Sequence, residues 1–394
     1  MSKVKFGDVI TRANTIEDKD NTERLYYVGG EHFDSGSLFL SRRGIIEGST
    51  IGPMFYFGFK AGQVLIVSRN PHLKKASIVD FDGICSEKTF VIETKDESIL
   101  LQKYIPFIVQ SDDFWQYAED HKSGSVNFFV NWSTFANYEF ELPDINEQRA
   151  KVELLYTAEE ERCSLLKAIN ATEQLKASFI DNLASGKMKI TKDNGEEYQH
   201  WNEKELREIC KFSKGKGLKK DCLSEDGENA CILYGELFLK YGPVIENVIS
   251  STNESTEKMV LSKAGYILMP GSDVTPTGLA TASCIMKPNV ILGGDIIILE
   301  VNEEVYPPFL SYMINHFKEK VIERITGTTV KHITAKGIED LKYPIPQEID
   351  EQKKIADILG VYDEQINALM NKVTVIERLE KAIVEDREVN NGNI

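Results

Sequence analysis

The segment Lys211-Phe212-Ser213-Lys214-Gly215-Lys216-Gly217-Leu218-Lys219-Lys220 carries five lysines in ten residues and no acid. Lysines at that density neutralise phosphates, and two glycines within the run let a backbone approach a ligand closely. Arg42-Arg43 and Ser68-Arg69-Asn70-Pro71-His72-Leu73-Lys74-Lys75 repeat the pattern more weakly near the start of the chain. Arg, Asn and Lys are side chains that meet base edges, so Lys211, Lys214, Lys216, Lys219, Lys220, Arg42, Arg43, Arg69, Lys74 and Lys75 are candidate contacts to phosphate and base. For any single run of this kind a solvated charged loop is the simpler account. The 394 residues as a whole also speak against a nucleic-acid ligand, with 46 Lys and Arg against 62 Asp and Glu and a net charge of −16.

Other spacings that could do chemistry fail on their own terms. Tyr306-Pro307-Pro308-Phe309 has the outline of the Asp/Asn-Pro-Pro-aromatic tetrapeptide of amino-methyltransferases. Its first position must offer a side-chain oxygen to the target amine, which Tyr306 cannot do in that geometry, so a proline-initiated helix is the expectation. Pro143-Asp144 followed by Glu147-Gln148-Arg149 has the outline of a metal-dependent nuclease, but the second copy of this segment places Gln347 or Glu348 at the Asp144 slot. A magnesium site needs carboxylates at fixed positions, so a helix start with Glu147 and Glu351 in the first turn is expected instead. No phosphate-binding glycine loop or nucleophile elbow is present. The six cysteines form no C-x-x-C pair. Zinc and disulfide frameworks are not expected, and free thiols suit a reducing cytoplasm. No apolar run approaches the ~18 residues of a membrane span. The chain is expected to be non-catalytic, cytoplasmic and away from membranes.

What positions the candidate residues is an internal repeat. Gly124-Ser125-Val126 and Gly327-Thr328-Thr329 stand 203 residues apart, as do Leu142-Pro143 and Ile345-Pro346. Glu147-Gln148-Arg149 and Glu351-Gln352-Lys353 follow at 204. Upstream, Lys5-Phe6-Gly7-Asp8-Val9-Ile10 has the charge and apolar order of Glu205-Leu206-Arg207-Glu208-Ile209-Cys210. Strand-like Thr89-Phe90-Val91-Ile92 leads to an aromatic helical stretch around Tyr104 to Tyr117, and Ile296-Ile297-Ile298-Leu299 to Phe309 through Phe317. Val64-Leu65-Ile66-Val67 and Ser77-Ile78-Val79 are further short strands.

After each apolar-Pro pair a long helix is predicted. Ile355, Leu359, Tyr362, Ile366, Leu369, Val373 and Ile376 alternate strictly by four and three, the mark of a coiled-coil seam, with Glu380 as an interruption. In the first copy Leu155, Ala158, Leu165, Ile169, Leu175, Phe179 and Leu183 follow the same stripe, broken by Arg162 and Thr172. The helices span about 145 to 185 and 350 to 386, on the order of 60 Å each. Gly186 ends the first, and a polar linker follows. The expected organisation is a variable domain at 1–141, a helix at 142–187, a linker at 188–200, a second variable domain at 201–345 and a second helix at 346–390.

Tandem variable domains, each with a Gly-Ser/Thr turn, an apolar-Pro step, Glu-Gln-basic and a long heptad helix, resemble the specificity subunit of a type I restriction-modification system. The resemblance covers essentially the whole chain and is fullest in the second half, through Lys214-Gly215-Lys216-Gly217-Leu218-Lys219-Lys220, Ile232-Leu233-Tyr234-Gly235-Glu236-Leu237, Gly327-Thr328-Thr329 and Pro346 to Ile355. It implies an α+β fold: two target-recognition domains separated by two long antiparallel helices that form a coiled-coil spacer, in a pseudo-two-fold repeat. Each domain would meet one half of a bipartite site in double-stranded DNA, with Tyr234 among the contacts, and the helices would set the gap. Two modification (adenine methyltransferase) subunits would dock on the helices, near Pro143, Glu147, Gln148, Pro346, Glu351 and Gln352, and ATP-driven restriction subunits would join them. S-adenosylmethionine, magnesium and ATP would belong to those partners and no cofactor to this chain. The rival readings are the recognition subunit of another methyltransferase-based defence system, and a coiled-coil adaptor that binds proteins alone.

The acidity has a place in this scheme. Residues 141–187 hold 6 basic and 9 acidic side chains and residues 346–394 hold 6 and 11, so the 96 helical residues carry −8, as much as the other 298. Net negative charge is about three times denser on the spacer, which need not touch phosphate.

Overall fold

The computed structural model describes residues 2–273 and 275–384. The chain divides into two compact units, residues 1–166 with 371–394, and residues 167–370. Each long helix contributes residues to both.

In the first unit, strand Ser2–Lys5 pairs antiparallel with Glu139–Leu142, just before the first long helix. A short helix, Phe6–Val9, turns the chain into strand Ile10–Arg12. That strand edges a five-stranded sheet in the order Ile10–Arg12, Thr89–Thr94, Val64–Val67, Ala76–Val79, Phe39–Leu40. Val64, Leu65 and Ile66 are wholly buried, so this strand is covered on both faces and its apolar run follows. A second five-stranded sheet covers one face. The other face is covered by an aromatic layer of Phe6, Phe114, Trp115 and Phe135. The expected helix from Tyr104 to Tyr117 is two helices, Ile105–Val109 and Asp112–Asp120, because Ser111 leaves helical geometry to cap the second through its side chain.

The second unit repeats this plan. Strand Asn202–Glu205 pairs with Lys342–Ile345, and Leu206–Ile209 is the short helix. The five-stranded sheet runs Cys210–Lys214, Ile296–Val301, Tyr266–Pro270, Ser283–Ile285, Val244–Ile245. Its last pair is parallel, as Phe39–Leu40 is with Ala76–Val79 in the first unit. Helix Pro307–His316 starts at its prolines and buries Phe309, Leu310 and Met313. Tyr306-Pro307-Pro308-Phe309 is therefore a helix start, as expected.

The long helices are Ile145–Ala184 and Ile349–Val384. Gly186 terminates the first at φ +72. The expected continuation of the second to residue 390 falls, from 385 on, outside the described residues. The pairing is antiparallel: in the first unit Arg162 meets Glu380 at 3.8 Å, and in the second the Phe179 and Tyr362 rings lie 6.3 Å apart beside an ion pair of Lys176 with Asp363. The first helix corrects one expectation. Leu175 lies off the seam and is 60% exposed, while Lys176 takes the seam position. Leu155, Ala158, Arg162, Leu165, Ile169, Thr172, Lys176, Phe179 and Leu183 then alternate by three and four without a break. Arg162 and Glu380, expected as interruptions, are seam positions facing one another.

The segment after Gly186 is shorter of freedom than a polar linker. Lys192 pairs with Glu348 at 2.9 Å, Lys354 with Asp193 at 2.5 Å, and Tyr198 is buried. These contacts fold it onto the start of the second long helix.

Candidate nucleic-acid interface

The lysine run is half strand and half loop. Lys211 and Lys214 lie on the edge strand Cys210–Lys214, paired on its other side with Ile296–Val301. Lysines on an edge strand also discourage strand addition, which is a structural reason for their presence. Lys211, Lys214, Lys216, Lys219 and Lys220 are all exposed. Lys214 reaches Asp295 at 3.5 Å, and the other four make no salt bridge among the described residues. Tyr234 is 38% exposed in the turn before helix Glu236–Leu239.

The glycines of the run serve the chain itself, which corrects their expected role. A Cβ on Gly215 would lie 2.1 Å from the Gly293 carbonyl oxygen, so the close approach is to the protein's own backbone. Gly217 holds φ +83, a region disfavoured for other residues.

In the first unit most candidate cations are engaged internally. Arg42 pairs with Asp34 at 2.5 Å, Lys74 with Asp112 at 2.5 Å, and Lys75 donates to the Gly30 carbonyl at 2.6 Å. The Arg43 guanidinium lies over the Tyr26 and Phe81 rings at 4.2 and 4.5 Å. Arg69 is exposed and has no salt bridge among the described residues. Its backbone bridges to Phe129.

That bridge leads to a feature present in both units. Ser123 and Phe129 exchange backbone hydrogen bonds of 2.8 and 3.0 Å, and Thr326 and His332 exchange bonds of 3.1 and 2.8 Å. Each pair closes a hairpin whose second residue is a glycine, Gly124 at φ +96 and Gly327 at φ +99. A Cβ would meet the Asn127 carbonyl oxygen at 2.6 Å or that of Val330 at 2.3 Å, so only glycine makes this turn. The hairpins back onto equivalent strands: Val130 donates to the Ser68 carbonyl, and Ile333 to that of Gly271. Ser272 pairs with His332 as Arg69 does with Phe129. The Ser272 hydroxyl also donates to Asp295 at 2.9 Å, and Asp295 holds Lys214, which ties the second hairpin to the lysine run. The 203-residue spacing of Gly124 and Gly327 marked these hairpins in the sequence; Asp295, Ser272 and His332 carried no such mark.

The residues expected to dock partner subunits are mostly interior. Gln148 and Gln352 are wholly buried. The Gln148 amide donates to the carbonyls of Ile99 and Pro143 and accepts from Leu101 N–H. Gln352 does likewise with Glu304, Pro346 and Tyr306 N–H. Pro143 and Pro346 are buried, and Glu351 is buried and accepts from the Trp201 indole at 2.9 Å. Burial pushes the Glu351 carboxyl above its usual range. Of the six only Glu147 reaches the surface, 3.6 Å from Lys151. The Pro…Glu-Gln signature therefore joins each domain to its own helix through an interior glutamine. Asp144, with Oδ1 accepting from the Asn146 and Glu147 amides, caps the helix as a helix start requires.

Among the described residues no cluster of three or more His, Cys, Asp or Glu is placed to hold a metal, and no helix is long and apolar enough to cross a membrane. Burial pushes the Cys210 and Cys284 thiols up to about 12.

A duplicated sheet, each copy joined to its own long helix, makes the chain a tandem repeat of one domain plan. Residues 198–381 match the family model of the type I restriction modification DNA specificity domain. A Mycoplasma pneumoniae protein carrying the name of a type I specificity subunit is 26% identical over 188 residues, 46% of this chain and 43% of its own. A Methanocaldococcus jannaschii protein named for the specificity subunit of a type I restriction enzyme is 30% identical over 104 residues, 25% of this chain and 24% of its own. The chain thus spans less than half the length of the curated relatives it matches. The crystal structure of the type I restriction-modification S subunit from M. genitalium shares the fold, with a TM-score of 0.63 over 98% of this chain and 95% of that one at 16% identity. The resemblance drawn from the sequence is borne out, as is the α+β class with two domains and paired long helices.

Proposed function

We propose that this chain is the DNA sequence-specificity subunit of a type I restriction-modification complex, itself without catalytic activity. Each domain meets one half of a bipartite, asymmetric site, and the paired helices set the gap. The observation that carries this reading is the duplication: the same sheet, hairpin and helix junction occur twice, while the exposed residues around them differ. Identical scaffolds with different surfaces suit two different half-sites held at a fixed distance.

Two modification subunits, with S-adenosylmethionine and the adenine-methylating site, dock on the helices, and restriction subunits supply ATP-driven translocation and cutting. Because the Glu-Gln junctions are interior, the docking surface is the exposed side of the helix pair. Leu175, Ile358 and Val361 in the second unit and Leu154 and Val375 in the first are apolar and 37% exposed or more there. The complex works in the cytoplasm, where its DNA and the reduced thiols belong. With a net charge of −16, the chain alone binds DNA weakly and gains affinity from partner cations.

Footprinting of the chain with its modification partner tests this. Protection of two patches about one helical turn apart supports it, and methylation mapping then gives the bases. Binding without sequence preference overturns it.

A further inference from the structure

Resting on that reading, we propose that hairpins 123–129 and 326–332 are sequence-independent phosphate anchors, one per domain, that seat each half-site before its bases are met. The two domains differ over most of their exposed residues yet share this hairpin in closure, glycine conformation and the strand it rests on. What it touches must be common to both half-sites. In a bipartite site of unlike halves, the bases differ and the phosphodiester backbone does not.

The chemistry fits an anionic oxygen. No Asp or Glu occurs from 121 to 138 or from 324 to 338. The tips offer the hydroxyls of Ser125, Thr328 and Thr329, all exposed. The backbone amides of 124–128 and 327–330 make no hydrogen bond within the chain among the described residues. Two cations with no salt bridge among the described residues belong to them: Arg69 is bridged to the first hairpin at Phe129, and Lys331 lies in the second. Lys214 reaches the second through Asp295 and Ser272. The nearby carboxylates are spoken for, Asp295 by Ser272 and Lys214, and Asp273 by the Thr275 hydroxyl at 2.5 Å.

The test uses the full chain in complex with its modification subunits, one duplex carrying the mapped site and a scrambled duplex of equal length. Arg69→Gln, Lys331→Gln and Thr328→Ala are compared with the parent, with thermal melts to establish that each folds. The two charge variants are expected to weaken binding to both duplexes by one common factor, about three- to ten-fold. Each should reduce the slope of log affinity on log salt by about one and leave the methylated sequence unchanged. Thr328→Ala should weaken both duplexes equally with no change in slope. A relaxed base at one half-site would overturn the proposal in favour of base contact. Unchanged DNA affinity with loss of the modification subunits would overturn it in favour of a protein contact. Full binding by all three variants defeats the anchors alone, whereas a parent complex that protects no bipartite site defeats the underlying reading.

Discussion

Gln352 donates its side-chain amide to the Glu304 carbonyl oxygen at 3.0 Å across 48 residues of chain, and Gln148 does the same to Ile99 at 2.9 Å across 49. One interior glutamine therefore pins each domain to the helix that leaves it. Gln148→Met and Gln352→Met keep the volume and strand an amide N–H and two carbonyls, at about 1–3 kcal/mol for each group left unmet. Calorimetry should show unfolding lowered by several degrees in both, to similar extents. Methylation mapping should show tolerance of gaps one base pair longer or shorter. Unaltered melting in either variant would remove the clamp from the account.

Glu380 gives the helix pair a pH dependence. Arg162 is held by Glu159 through bonds of 2.7 and 2.8 Å, so Glu380, facing the same guanidinium at 3.8 Å, gains little from it. Burial, and then the Glu159 charge, raise the Glu380 carboxyl to about 7. The folded state then binds more protons than the unfolded one, and stability falls as pH rises from the ordinary carboxylate range through 7. Glu380→Gln should flatten that slope and raise the melting temperature by a few degrees at pH 8, with little change at pH 5. An unchanged slope in melts across this range would count against it.

The seam can be separated from its flank by two substitutions on one helix. Val373 is buried and Val375 is 53% exposed. Val373→Asp should cost roughly 3 kcal/mol or more by placing a charge in the seam. Val375→Asp should stay within about 0.5 kcal/mol. Urea denaturation of both measures the difference, and equal effects would deny the pairing.

Each hairpin depends on its glycine. Gly124→Ala and Gly327→Ala force a Cβ against a carbonyl oxygen at a positive φ, a strain of about 1 kcal/mol or more. Hydrogen exchange should show the Phe129 amide in the first variant, or the His332 amide in the second, losing protection while the central strands keep theirs. Retained protection would mean that the turn accepts a side chain.

The repeat and the helices were legible because both are matters of spacing. Gly124 and Gly327, 203 residues apart, do form the same turn, and Ile355, Leu359 and Val373 are buried on one stripe. Leu175 misled, since apolar character alone assigned it to the seam while three-four spacing puts Lys176 there, made tolerable by Asp363 on the other helix. The Glu-Gln signature looked like a surface for partners because polar residues are usually exposed; its glutamines meet three backbone groups each, which no linear spacing announces. The cations of the first domain were visible as residues, but Asp34 and Asp112, which neutralise Arg42 and Lys74, stand 8 and 38 positions away. Only the fold brings them together.

The polar seam positions also act as a key. Sliding one helix by a heptad would set Lys176 against Met370 or Ala356 and part this half-buried cation from Asp363, while Arg162 would keep Glu159 of its own helix. An all-apolar seam would adhere in several alignments, whereas Lys176 with Asp363 favours one. Two rods held in this way have a single zero mark, and the Lys176–Asp363 pair supplies it.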